Sequence, residues 1–555
     1  MPDTDWYLHG GTVLDGLGGA LEADVHLAGG RVAAIIPRAA SPTGARPAAA
    51  GPSAARPAAP GPAPSVRAPS HPSAAHPLDC TGLLIAPGFI DAHTHDDTAA
   101  TDPACYEAKI RQGVTTSVVA QDGFGWAPLP ADPVGRDAFV RYWRPVNGRT
   151  QAPDGTGLLH DRLSGYLDAL RGRLGLNAAA LAGHVNLRVP HTGFDLRPVH
   201  PGELRAMAAA LETALDDGAC GLSTGLTYIP ARASDTAELL ALTPSLARRS
   251  LPYVSHMRGY GGDIFDAAEE ALTLARQTGC AVHLSHLHIS ARAAWGRAAE
   301  LIDRLDGAIA SGLHVSWDLY PYQAGSSVLY QYFAPELQDG GPDAFLRRLR
   351  DGETPARLAA DPAFMALDWS SYVISHTASG RFVGQSVAEM AAATRRLVAE
   401  AVVDLLIAED LDVGVIVHQT QEADDDLFLL HPACAVGSDG IFASGRQHPR
   451  AYGAFARFWR RYVRDLRRLT PAEAVGRMAG SAARIHGLRG RGVLVPGAAA
   501  DVAVFDGEAF ADTATYAEPR LPAQGMRHVF VNGVAALLDG AFDPSARAGE
   551  ALRPG

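Results

Sequence analysis

"DIFDAAEEALTLARQTGCAVHLSH", Asp263–His286, holds a helix and a strand in a single line of sequence. Apolar residues return every three or four positions as far as Thr278, the spacing of a helix with one buried stripe. Gly279 then stops the helix, because glycine accepts the left-handed backbone of a helix end. "CAVHLSH" follows as a short strand. The same unit recurs on both sides. "PGELRAMAAALETALDD" (Pro201–Asp217) has a proline near its start and Gly218 beyond its end, and leads into "ACGLSTGL". "RAAELIDRLDGAIAS" (Arg297–Ser311) is closed by Gly312 and leads into "LHVSWDLYPY". Successive helix–strand units imply a parallel sheet wrapped by helices, an α/β fold. Core strands near Asp91, Thr115, Leu181, Gly221, Tyr253, Val282, Val315 and Ala435 come to about eight, the number that closes a TIM barrel. The stretch 325–419 is too long for one crossover and predicts a small insertion.

The two ends of the chain read differently. "GGTVLDGLGGALEADVHLAGGRVAAIIP" has short apolar runs broken by Gly and Asp, as small strands and turns do. After it, Arg38 to Pro77 is almost wholly Ala, Pro, Ser, Gly and Arg. Such a segment has little to bury and too much proline for helix or sheet, so residues 39–78 are expected to be a disordered insert. The expected domains are 1–38, then the insert, then a barrel domain over 79–488, then 489–555.

Bulk properties exclude some roles. A net charge of −12 and a pI near 5.9 give a nucleic-acid partner no electrostatic support. No apolar run is long enough to span a membrane, and "MPDTDWYLHG" lacks the basic and apolar parts of a secretory signal. The five cysteines are far apart and form no CxxC pair. A cytoplasmic location is expected.

The chemistry-bearing residues fall at strand ends, where a barrel carries its active site. In "FIDAHTH", His93 and His95 are two apart and so share a face. "LPYVSHM" ends at His256, "AVHLSHLH" at His286 and His288, and "ACAVGSDG" at Asp439. Taken singly, each is weak: strand-end histidines are ordinary hydrogen-bonders, and Gly-Ser-Asp-Gly is an ordinary turn. Together, imidazoles and carboxylates converging from separate strands suit a divalent metal, and the nitrogen ligands favour zinc. His283, His314 and His418 are read as structural.

At these residues the sequence comes to resemble a family. "PGFIDAHTH" is similar to the first-strand signature of the amidohydrolase superfamily. "HTHDD", "QGVTTSVVAQDG", "GLSTGLTYIP", "SHMRGYG", "DLYPYQAGSS", "GSDG", "HPRAYGAF" and "RGVLVPGAAADVAVFD" occur in the order seen in D-aminoacylases, the N-acyl-D-amino-acid deacylases. The resemblance covers nearly everything but the Ala/Pro-rich insert. It implies a distorted TIM barrel with a small β-sandwich built from both chain ends, about Met1–Arg38 and Arg489–Leu538. It implies one or two zinc ions held by His93, His95, His256 and His286, with Asp439 as both ligand and proton shuttle.

Two departures stand out. Many D-aminoacylases carry a cysteine ligand in an Asn-Cys-Gly motif after strand two. Here the stretch is "AQDGFG", so Asp122 stands in its place, as in a subgroup with Gln-Asp-Gly. A plain Asp–Gly turn is the other reading of Asp122. Relatives also often carry lysine at the position of His288, and a neutral imidazole anchors an anion less firmly.

The resemblance implies hydrolysis of N-acyl-D-amino acids, small-molecule substrates whose α-carboxylate needs a cation. Arg450 in "HPRAYG" is the first choice, because a guanidinium can hold a carboxylate bidentately. Tyr320, Tyr322, Arg258 and His288 are supporting candidates; each is also of a type that packs or sits on a surface. Three alternatives stay open: a cyclic-amide hydrolase of the dihydroorotase or hydantoinase type, an amidohydrolase acting on a larger biosynthetic amide, and a silent binding scaffold. The cyclic-amide enzymes usually carry a lysine on strand four, which "ACGLSTGL" lacks.

Overall fold

The computed structural model describes residues 5–38, 75–442 and 445–554. The disorder expected over 39–74 lies outside the described residues.

Eight parallel strands form the central ring. They are β1 (Phe89–Asp91), β2 (Val114–Val119), β3 (Asn177–Ala180, continued by Ala182–Gly183), β4 (Leu222–Gly225), β5 (Pro252–His256), β6 (Ala281–Leu284), β7 (Val315–Leu319) and β8 (Cys434–Val436). Each pairs with the next in chain order. The ring closes from β8 to β1 through Ala92 N donating to Val436 O at 3.2 Å and Asp439 N donating to His93 O at 2.7 Å. It is distorted at Leu181, where the two segments of β3 pair with different neighbours. Small and branched side chains from alternate positions, among them Ile90, Val118, Ala179, Leu181, Val254 and Ala435, make one buried cluster inside the ring, packed with Ala482, Ala483 and Leu488. The helices between strands bury one stripe each against the outside. The helix Ile264–Thr278 ends at Gly279 with φ +74°, the left-handed cap its sequence required.

Both chain ends build a second sheet. Trp6–His9, Thr12–Leu14, Ala20–Ala28 and Arg31–Pro37 join Val502–Phe505, Met526–Val531 and Val534–Leu538. The link to the barrel is Leu84–Pro87, antiparallel to Val502–Phe505 and running on into β1. Leu8, Val25, Val32, Ile85, Val502 and Phe530 form its core.

One boundary differs from the sequence reading, and the expected C-terminal tail has a place in the fold. His76–Asp79 is a strand, parallel to Trp6–His9, so the Ala/Pro-rich segment ends before Pro77. It lies at the edge of the sheet, where a proline costs no ladder bond, and Leu78 packs on the sandwich core. At the other end, Ala551–Leu552 pairs with Ala178–Ala179 of β3, so the last residues join the barrel rather than the sandwich. Within 325–419 a three-stranded antiparallel sheet (Ala324–Val328, Tyr372–Thr377, Val413–His418) and short helices stand over the barrel mouth. Among the described residues no helix is long and apolar enough to cross a membrane.

Candidate active site

Sharp turns just beyond the strand ends deliver Asp122, His286 and Asp439, whereas His256 is the last residue of β5 and His95 lies in a short strand, Thr94–His95. β1 stops at Asp91, before His93 and His95, and β6 stops at Leu284, before His286 and His288. Asp122, His286 and Asp439 take positive φ values of +57°, +34° and +49°. The left-handed region costs a non-glycine residue on the order of 1 kcal/mol or more and persists where the surroundings impose it. At Asp439 the surroundings are visible: its backbone is tied to His93 O, and Ser438 before it donates to Asp91 from both N and Oγ.

Strand ends and turns together bring six buried side chains to one point. Asp122 is central. Its Oδ1 lies 3.5 Å from His93 Nε2 and 3.7 Å from His286 Nε2; its Oδ2 lies 3.6 Å from His95 Nε2 and 3.5 Å from His256 Nδ1. Asp439 Oδ1 lies 3.4 Å from His95 Nε2 and 3.7 Å from His93 Nε2. His286 Nε2 and His256 Nδ1 are 3.0 Å apart. Zinc–ligand bonds of about 2.1 Å put the ligand atoms of a tetrahedron about 3.4 Å apart, and these spacings bracket that value. His93 Nε2 and Asp122 Oδ1 are buried with no hydrogen-bond partner. Both the donor set and its spacing therefore fit a divalent ion, in two overlapping groups: His93, His95 and Asp439; and His93, Asp122 and His286.

Asp318, on β7, holds this cluster from behind. Its Oδ2 is 3.3 Å from His93 Nδ1 and 2.9 Å from His283 Nε2, and its Oδ1 accepts from the backbone N–H of His286 at 2.9 Å. A carboxylate on Nδ1 fixes the tautomer that turns the Nε2 lone pair to the cluster. Sequence reasoning missed Asp318. Its signal was present, a lone acid in the strand Val315–Leu319. His283, read as structural, supports the site through it.

The charges reinforce one another. Burial alone would lower the His93 and His95 pKa values, yet the carboxylates around them outweigh it and lift them to about 9 and about 10. Burial pushes the Asp122 and Asp439 carboxyls up, but the imidazoles, and for Asp439 the Arg450 guanidinium first, hold both below the usual carboxylate range. His288 is driven down to about 3, by burial and then by His286. Its Nδ1 donates to His286 O at 2.6 Å.

The cluster opens into a cavity of about 180 Å³, lined also by Tyr228, Tyr260, Tyr320, His288, Ser326 and Gln331. Among the described residues no lysine or arginine lines it. Arg450 lies fully buried beside it, its guanidinium 4.4 Å above the Tyr320 ring and Nη1 2.9 Å from Asp439 Oδ2. Tyr322 does not reach the cavity and packs under Arg457 at 4.6 Å. Arg258, a supporting candidate, does not line the cavity; Glu270 holds its fork with two contacts of 3.0 Å. The tyrosines at 228 and 260 and Gln331 were not anticipated, because nothing in their local sequence separates them from packing residues.

The chain is similar to known proteins over most of its length. Residues 78–536 match the amidohydrolase family. An N-acyl-D-glutamate deacylase of Alcaligenes xylosoxydans xylosoxydans is 34% identical over 99% of this chain and 96% of its own. A D-aminoacylase of the same organism is 33% identical over 84% of this chain and 86% of its own. The crystal structure of N-acyl-D-glutamate deacylase from Bordetella bronchiseptica, complexed with zinc and a phosphonate mimic of the tetrahedral intermediate, superposes with a TM-score of 0.79 at 31% identity, covering 99% of this chain and 100% of that one. The chain belongs to the amidohydrolase family, on its D-aminoacylase branch.

Proposed function

We propose that the protein hydrolyses the amide bond of N-acyl-D-amino acids, releasing a carboxylate and the free D-amino acid, with zinc as its metal. The observation that carries this reading is the six-residue cluster, with Asp439 Oδ1 turned to the histidines and Oδ2 to Arg450. The deacylase relatives support it over most of their length.

The six side chains would hold one or two ions, with His93, Asp122 and His286 as one group, His93, His95 and Asp439 as the other, and His256 against them. Zinc so bound lowers the pKa of water and polarises the amide carbonyl. Asp439 does the proton work. Held as a carboxylate by Arg450 and the imidazoles, it accepts the proton of the attacking water on Oδ1 and passes it to the amide nitrogen as the C–N bond breaks, since an unprotonated amine is a poor leaving group. Arg450 stands behind the Tyr320 ring that lines the cavity, so it would orient the substrate's α-carboxylate through its field rather than by direct contact. His288 presents its Nε2 edge, because Nδ1–H is committed to a carbonyl.

The cyclic-amide alternative has less support: β4, Leu222–Gly225, carries no lysine. The substrate is a small molecule, and a cytoplasmic site of action suits five cysteines of which none is paired. The test is hydrolysis of N-acetyl-D-amino acids by protein as purified, after chelation, and after zinc is restored. Loss on chelation and recovery with zinc is expected. Full activity without metal would overturn the reading.

A further inference from the structure

His93 and His95 both turn Nε2 to the cluster, but only His93 has a partner for its other nitrogen, the Asp318 carboxylate. His95 Nδ1 is buried and has no hydrogen-bond partner. A metal-binding imidazole ordinarily donates that second N–H to a carboxylate, a carbonyl or a water, and the donation fixes both ring and tautomer.

A second, narrow cavity touches His95. It is lined also by Thr98, Asp102, Cys105, Asn147 and Arg149. Asn147 is 3% exposed, and neither its Oδ1 nor its Nδ2 has a partner. An amide buried this deeply without partners is rare and calls for an explanation. The cavity measures about 20 Å³. A water needs about 10–15 Å³ and two to four polar partners, so the space suits a single water and no larger ligand.

We propose that one ordered water occupies this cavity, accepting from His95 Nδ1–H and donating to Asn147 Oδ1, which makes Asn147 a positioning residue for His95. The Thr98 hydroxyl and the Asp102 carboxylate line the same space and offer the water a further partner. Two orphaned buried groups are then satisfied by one molecule, and His95 acquires through water what His93 has directly from Asp318. The inference rests on the cluster being a metal centre.

The test uses the zinc-loaded full chain. A high-resolution crystal structure should show a water within hydrogen-bond distance of both His95 Nδ1 and Asn147 Oδ1. Asn147→Leu should weaken zinc binding about 10–100-fold, and Asn147→Asp, which keeps the acceptor, should restore most of it. His95 Nδ1 bonded directly to Asp97, or a cavity filled by side chains, would overturn the proposal. So would a folded Asn147→Leu protein with zinc affinity within about twofold of wild type. Wild-type protein that binds no zinc would instead defeat the metal-centre reading, while the water position in the crystal would still decide this one.

Discussion

Two buried polar clusters lie almost side by side where strands β1 and β8 end, and they are built on opposite plans. The first closes on itself. Lys109 pairs with Asp91, bonds Thr94 Oγ1 at 3.0 Å and Ser438 Oγ at 2.8 Å, and lies 3.4 Å from Asp96. Asp96 accepts from Thr94 and Ser117 in turn. The second, around Asp122, leaves His93 Nε2, Asp122 Oδ1 and His286 Nδ1 without hydrogen-bond partners. A buried polar group without a partner costs about 1–3 kcal/mol, so a fold that completes one cluster and not the other has reserved the second for a ligand. The closed cluster also serves the open one, because it fixes Ser438, the residue before Asp439.

The largest effect is expected in the open cluster. Asp439→Asn should lower turnover about 10²–10⁴-fold by removing the proton carrier, while elemental analysis still finds metal. Equal loss of metal and turnover would make Asp439 a ligand first, and the comparison would need redrawing. In the closed cluster the expected loss is stability. Lys109→Met leaves Asp91 and Asp96 facing each other unpaired and should cost about 3–5 kcal/mol in urea unfolding. A change below about 1 kcal/mol would mean that this network does not act as a structural unit.

Asp425 is a third case, a buried acid with no cation beside it. It accepts from Thr420 at 2.7 Å, and its Oδ1 has no partner. Burial pushes its pKa up to about 8, against about 3.9 for a free aspartate. The folded state then keeps a proton that the unfolded chain has lost. Its contribution to stability is complete below pH about 4 and is lost as pH rises towards 8. Asp425→Asn should flatten that fall, so mutant and wild-type melting temperatures should differ more at pH 8 than at pH 5. Parallel curves would show that Asp425 is already ionised in the folded protein. The smallest effect is expected for Arg258→Ala: within about 1 kcal/mol in stability and no change in kcat/KM, since its fork is spent on Glu270 in a partly buried pair outside the cavity lining.

Much of this was legible in the sequence, for identifiable reasons. Gly218, Gly279 and Gly312 mark helix ends because each must adopt positive φ, and the barrel follows from the units they separate. The four histidines and Asp439 were legible as a set, since no packing argument requires them at four strand ends. The directions of the residues on the turns were not. Alternation assumes a continuing strand, whereas Asp122, His286 and Asp439 are aimed by left-handed turns that no periodicity reports. Asp318 escaped because its partners are 225 and 35 positions away. Arg258 was not separable from a lining residue, because a cation next to a site histidine in sequence can still be held by a neighbouring acid, which only the position of Glu270 reveals.

The most direct test of the central claim is a racemate. If the scissile carbonyl sits at the cluster and the α-carboxylate points to Arg450, only one hand leaves the side chain in open space, and a misplacement of about 1 Å can cost on the order of a hundredfold in rate. Zinc-loaded protein given an N-acetyl-DL-amino acid should consume half of it and stop, leaving the L-enantiomer intact. Consumption of both hands at similar rates, or none of either, would contradict the account.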